Sequence, residues 1–110
     1  MVSGIGVDIE SIKRFEKSCP NKRFLNLIFT NREIKYCKNK SNPYINFAGK
    51  FCAKEAVIKA SKKGISMRDI EILNSESGKI RVLVNGKYKK NMHISISHTK
   101  EYAVAFAVID

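Results

Sequence analysis

The sequence predicts an α+β fold, a single domain over residues 1–110 with a small antiparallel sheet and a long central helix, and three observations support it. Near the start, Ile5, Val7 and Ile9 alternate with Gly4, Gly6 and Asp8, the period of a strand. In the middle, Tyr44–Lys63 carries apolar residues at helical spacing. The last third breaks into short runs rich in Ile and Val, separated by turn residues.

Taken in order, Val2–Ile9 reads as a strand whose apolar side is Ile5, Val7 and Ile9. Asp8 is expected to face away from that side with the two glycines, which leave open surface where a ligand can approach closely. A first helix, Ser11–Ser18, stops near Pro20 and exposes Lys13, Arg14 and Lys17. Asn21–Phe29 reads as a short helix with Phe24, Leu25 and Ile28 on one face. Thr30-Asn-Arg-Glu33 is a capping box that opens another helix to Lys38. A loop at Asn39–Pro43 precedes the long helix, Tyr44–Lys63, with Gly64 as its expected C-terminal stop. Ile70–Leu73 and Ile80–Val84 form a hairpin around Glu76-Ser-Gly78. Asn85–Asn91 reads as a polar loop, and His93–Ser97 pairs with Tyr102–Ile109 around His98-Thr-Lys-Glu101.

The apolar fraction of 44% is ordinary for a globular protein. No segment approaches the roughly 20 apolar residues of a membrane span, and the N-terminus lacks the basic region of a signal peptide. A cytoplasmic protein without membrane association is therefore expected. Cys19, Cys37 and Cys52 show no metal-ligand spacing, so free thiols are expected, with Cys52 in the core. The net charge of +11 calls for an anionic partner: nucleic acid, anionic lipid, a phosphate-bearing cofactor or an acidic protein. The basic residues form no block of five or more and no aromatic-interleaved stretch, which speaks against single-strand nucleic-acid binding.

Glu55 is the residue that composition does not explain. On the long helix it shares a stripe with Ala48, Phe51, Cys52 and Ile58, all apolar. Burying an unpaired carboxylate is costly, so a cation or a set of donors is expected beside it. Lys59 follows one turn later. Asp8 is the other acid within reach, and two carboxylates meeting there would make a site for a divalent metal.

Each of these pieces also has an ordinary structural reading. Asp8 could cap the first helix. Glu55 and Lys59 could form a surface i,i+4 pair worth a few tenths of a kcal/mol. Ser97 and His98 are adjacent, so in a strand they point to opposite faces and do not form a nucleophile–base pair.

Together the pieces resemble a known family. Gly4-Ile-Gly-Val-Asp-Ile-Glu-Ser-Ile-Lys-Arg-Phe15, Phe47-Ala-Gly-Lys-Phe-Cys-Ala-Lys-Glu-Ala-Val-Ile-Lys-Ala60, Asp69-Ile-Glu-Ile with Ser77-Gly78-Lys79, and Ile94-Ser-Ile-Ser-His98 with Ala103-Val-Ala-Phe-Ala107 are similar to the holo-(acyl carrier protein) synthases, the short bacterial phosphopantetheinyl transferases. The resemblance implies the fold of those transferases and a reaction. The enzyme moves 4′-phosphopantetheine from coenzyme A to a serine of apo acyl carrier protein, requires Mg2+, releases adenosine 3′,5′-bisphosphate and supports fatty acid biosynthesis. By resemblance, Asp8 and Glu55 are the metal acids and Lys59 the catalytic lysine. Ser97 and His98 are the Ser-His motif, and coenzyme A lies between subunits of a homotrimer. Lys50, Lys54, Lys62 and Gly64 are expected to contribute to the coenzyme A site, and Lys13, Arg14 and Lys17 to dock the acidic carrier protein.

The sequence departs from the family at three points. Ser61-Lys-Lys-Gly64 replaces the usual Gly-x-Gly turn and puts Lys62 at the first glycine. Lys50 stands where arginine is common, and Met67-Arg68 where tryptophan is frequent. Three other readings are weighed against the transferase. A small basic nucleic-acid-binding protein accounts for the charge but not for Glu55. A non-catalytic coenzyme A or carrier-protein binding module leaves Asp8, Glu55 and Lys59 without a purpose. A Ser-His hydrolase lacks the GxSxG elbow.

Overall fold

In the computed structural model, which describes residues 1–110, two three-stranded antiparallel sheets flank one helix of 19 residues. The order along the chain is β1 (Gly4–Ser11), α1 (Ile12–Ser18), α2 (Lys22–Ile28), α3 (Asn31–Lys38), α4 (Pro43–Ser61), β2 (Ile70–Asn74), β3 (Ile80–Val84), β4 (Lys87–Tyr88), β5 (Met92–His98) and β6 (Tyr102–Ile109). The first sheet has the order β1-β6-β5 and the second β2-β3-β4.

The predicted elements are all present, with shifted ends. β1 runs to Ser11 rather than Ile9 because β6 pairs with it over its whole length, from Gly4 opposite Ile109 to Ser11 opposite Tyr102. The capping box at α3 forms: the Thr30 hydroxyl accepts from the Glu33 amide at 3.3 Å, and the Glu33 carboxylate accepts from the Thr30 amide at 2.9 Å. The expected loop at Asn85–Asn91 contains β4, because Asn85 (φ 52°) and Gly86 (φ 80°) make a two-residue turn with both angles positive.

Two expectations are corrected. β1 buries its glycine side and exposes its apolar side: Ile5, Val7 and Ile9 are 62%, 50% and 62% exposed. The cause is the closeness of α4. A Cβ on Gly4 would stand 2.0 Å from the Ala60 carbonyl oxygen, and one on Gly6 would stand 2.1 Å from that of Ala56. Only a strand without side chains at those positions fits under the helix, and Ala103, Ala105 and Ala107 of β6 continue the same flat floor. Asp8 does lie on the glycine side, but that side is the interior. The second correction concerns the end of α4. The helix stops at Ser61, with Lys62 in the left-handed region (φ 57°, ψ 18°) and its amide bonded to Ile58 O at 3.2 Å, whereas Gly64 has no positive φ.

The core lies on both sides of α4. Phe15 meets Phe51 at 5.2 Å between ring centroids, Phe29 meets Phe47 at 5.0 Å, and Ile70, Ile72, Val57 and Val82 are fully buried. Cys19, Cys37 and Cys52 are free and buried.

Candidate active site

The strand glycines bring Asp8 to the helix. With Gly4 against Ala60 and Gly6 against Ala56, two strand residues match one helical turn, which sets Asp8 at the level of Cys52 and within a turn of Glu55. The Asp8 side chain is 11% exposed. Its Oδ1 lies 3.4 Å from Lys59 Nζ, and its Oδ2 is buried with no hydrogen-bond partner. Lys59 also donates to Val7 O at 3.0 Å.

The expected partnership of Lys59 with Glu55 is thus replaced by one with Asp8, because the close strand offers Lys59 both a carboxylate and a carbonyl. Glu55 is half-buried rather than sealed within an apolar stripe. Ala48, Phe51 and Cys52 are buried, but Ile58 is half-exposed like Glu55. This side of α4 lies over β1, an edge strand of its sheet, where solvent reaches the helix.

Sequence reading missed one acid. Glu10, two residues beyond Asp8 and on the same face of β1, is salt-bridged to Arg14 of α1 at 2.7 Å. Burial and the neighbouring Asp8 push its carboxyl up to about 7. The signal was available in the Asp8-Ile9-Glu10 alternation, since every second strand residue shares a face. Cys52 completes this corner. Its thiol donates to Ala103 O at 3.3 Å, and burial together with Asp8 and Glu10 pushes it up to about 12, so it is inert.

Other predicted site residues are distributed differently. Lys54 is no phosphate contact: it is fully buried, with its ammonium 2.6 Å from Glu33 and donating to Ile28 O at 2.7 Å. Lys50 is also withdrawn, 3% exposed, donating to Ile72 O at 2.6 Å and to Asn74 Oδ1 at 2.8 Å. Both expectations fail for one reason. α4 is enclosed on nearly all sides, so the face that reads as polar is covered by α3 and β2.

Lys62 and Lys63 do face open space. With Lys89, Asn85, Asn91 and Ser3 they line a cavity of about 550 Å3 at the C-terminal end of α4, floored by Ile65, Val84, Met92 and Ile109. Gly64 is exposed next to it. Ser97 and His98 stand apart. Ser97 is opposite Val104 on the outer face of the sheet, away from α4, and His98 is opposite Ala103 at the end of the edge strand β5. Lys13, Arg14 and Lys17 are exposed on α1 as expected. The Arg14 guanidinium also covers the Phe51 ring at 5.5 Å.

No group of three or more His, Cys, Asp or Glu side chains is gathered to hold a metal unaided. Asp8 with its unpartnered Oδ2, the half-buried Glu55 and the half-exposed Lys59 lie along one seam between β1 and α4.

Comparison with known proteins identifies the family. A family model described as the 4′-phosphopantetheinyl transferase superfamily matches residues 4–107. A holo-[acyl-carrier-protein] synthase from Thermodesulfovibrio yellowstonii is 46% identical over 99% of both chains. A crystal structure of the synthase from Bacillus anthracis, in complex with CoA (3′,5′-ADP), superposes with a TM-score of 0.84 at 37% identity over 99% of this chain and 96% of that one. The Helicobacter pylori synthase, solved in complex with coenzyme A, gives 0.79 at 33% identity over 96% and 99%. By sequence and by fold, the chain belongs to the holo-[acyl-carrier-protein] synthases of the 4′-phosphopantetheinyl transferase superfamily.

Proposed function

We propose that this protein transfers 4′-phosphopantetheine from coenzyme A to a serine of apo acyl carrier protein in a Mg2+-dependent reaction that releases adenosine 3′,5′-bisphosphate. We further infer that it acts in the cytoplasm and supports fatty acid biosynthesis. The observation that carries the reading is Asp8 Oδ2, a buried carboxylate oxygen with no partner, on the seam that also holds Glu55 and Lys59. A buried charged oxygen without a donor is costly, and a divalent cation relieves that cost. Hard oxygen donors few in number suit Mg2+, which keeps waters and substrate phosphates in its shell. Asp8 and Glu55 would hold it, and its chemistry there is to neutralise charge on the diphosphate.

The remaining work falls to side chains of the chain. Lys59 lies half-exposed at the rim of the seam and needs only to turn from Val7 O to reach a phosphate oxygen, where its charge steadies the leaving group. The serine hydroxyl of the carrier attacks the phosphorus next to the pantetheine. The bond from that phosphorus to the oxygen bridging the nucleotide breaks, and the serine proton passes to Glu55 or a water. Lys62 lies seven residues beyond Glu55, about 10 Å along the helix. A diphosphate at the acids therefore leaves the nucleotide end near Lys62, Lys63 and Gly64.

Ser97 lies on the opposite face of the sheet from Asp8, so it suits a site shared between copies. The outer face presents Ile5, Val7, Ile9 and the 45%-exposed Phe106, an apolar surface consistent with the homotrimer. α1, with Lys13, Arg14 and Lys17, suits an acidic carrier protein.

The test is intact-protein mass spectrometry of apo acyl carrier protein after incubation with this protein, coenzyme A and Mg2+. A mass gain of one phosphopantetheine, abolished by EDTA and by Glu55→Gln, is expected. No gain with several carrier proteins would reject the transferase.

A further inference from the structure

α4 rests on a floor of Gly4, Gly6, Ala103, Ala105 and Ala107 and contributes Ala48, Ala53, Ala56 and Ala60 of its own. Such a contact fixes how close helix and strand approach. It does little to fix how the helix is turned about its axis, because small side chains interlock weakly and dispersion is non-directional. Directional bonds add to what the Phe47 and Phe51 contacts set on its other sides, and α4 has two groups of them: Lys50 to Ile72 O and Asn74 Oδ1, and Lys54 one residue before Glu55.

Lys54 and Glu33 are both fully buried, with Nζ and Oε1 2.6 Å apart. The Lys54 ammonium also donates to Ile28 O, and its third side faces the Phe29 ring at 5.2 Å. Glu33 Oε1 accepts the Thr30 amide and Oε2 the Ile72 amide at 2.7 Å. One ion pair therefore joins α4 to α3, to the link between α2 and α3, and to β2, with its donors and acceptors met. Burial holds the Lys54 ammonium below the ordinary lysine value and Glu33 opposes that shift, which fits a pair retained for geometry more than for stability.

We propose that the Lys54–Glu33 pair is the positioning element of the active site, setting the rotation of α4 so that Glu55 meets Asp8. The inference rests on the transferase reading, in which Glu55 holds Mg2+. With side chains about 5–6 Å from the helix axis, a roll of about 10° moves the Glu55 carboxylate by about 1 Å. A displacement of that size costs on the order of 100-fold in rate.

The test uses the full-length double variant Lys54→Met/Glu33→Gln, which removes both charges at similar volume, beside the wild type. Thermal unfolding, kcat and KM for coenzyme A, and calorimetric titration of Mg2+ into the protein–coenzyme A complex without carrier are compared. The expected result is a folded protein with KM for coenzyme A unchanged, kcat lowered by about 30- to 100-fold, and Mg2+ affinity weakened by about tenfold or more. A lower melting temperature with kcat and Mg2+ affinity within threefold of wild type would make the pair merely structural and overturn the proposal. Lys54→Gln/Glu33→Gln, which removes both charges but keeps a hydrogen bond across the pair, is the milder second variant. If neither variant folds, the pair is a folding requirement and the positioning role is rejected. A wild-type protein that binds coenzyme A but never transfers would refute the transferase reading itself, and the positioning role with it.

Discussion

Replacing Lys62 by glycine perturbs stability and coenzyme A use in opposite directions. Lys62 is the last residue of the α4 turn and sits at φ 57°, ψ 18°. A side chain with a Cβ pays about 1–2 kcal/mol for that conformation. Glycine removes this cost but adds about 0.4–1 kcal/mol of unfolded-state freedom. Loss of the charge beside the helix C-terminus removes about 0.3 kcal/mol more at an exposed position. The balance favours glycine by about 0.5 kcal/mol, a rise of roughly 2–3 °C in melting temperature. Lys62→Ala keeps the strain and loses the charge, so it separates the two effects. Calorimetric unfolding at pH 7 should rank glycine above lysine and lysine above alanine. Both variants should raise KM for coenzyme A by a similar factor, because both lose the ammonium in the cavity. A glycine variant less stable than the alanine one would refute the backbone reasoning. An unchanged KM in both would remove Lys62 from the nucleotide end.

Gly6→Ala puts a Cβ 2.1 Å from the Ala56 carbonyl oxygen and should destabilise by more than about 3 kcal/mol, measured by urea unfolding; a loss under about 1 kcal/mol would show that helix and strand can separate cheaply. The folded protein holds the Glu10 proton up to about pH 7, whereas an unfolded chain releases it near 4.5. Ionised Glu10 therefore costs stability that is absent below about pH 4.5 and fully present above about 7. Glu10→Gln should gain stability over wild type as pH rises from 5 to 8 in EDTA, and a shrinking gain would contradict the burial of that carboxyl. Arg14→Glu should raise KM for the carrier protein by about tenfold or more while leaving KM for coenzyme A unchanged, and equal losses in steady-state kinetics would reject the docking role of α1.

Much of the architecture is legible in the sequence because local chemistry agrees with it. The Thr30–Glu33 capping box, the hairpin around Gly78 and the alternating runs at both ends of the chain each name one structure. What failed to read out depended on neighbours distant in sequence. The alternation of Ile5, Val7 and Ile9 with glycines correctly says strand, but not which side is inside. That was decided by α4 lying against the backbone of residues 4 and 6. Asp8, Glu55 and Lys59 stand out in the sequence, yet the partner of Lys59 does not, since it crosses to Asp8 instead of bonding along its own helix. Lys50 and Lys54 look like surface lysines on a helical wheel. Their burial follows from Glu33 for Lys54 and the end of β2 for Lys50, partners more than 20 residues away in sequence.

The outward-facing Ile5, Val7 and Ile9 sit on a strand that also has one unpaired edge, so a copy without neighbours presents both a sticky surface and a template for pairing. The charge of +11 opposes indiscriminate clustering of such copies, because identical chains repel at long range. That protection reaches only about 8 Å at physiological ionic strength and shrinks further in strong salt. Protein whose apolar strand face is uncovered is therefore most vulnerable to precipitation in concentrated, high-salt solution and best kept in solution at low salt.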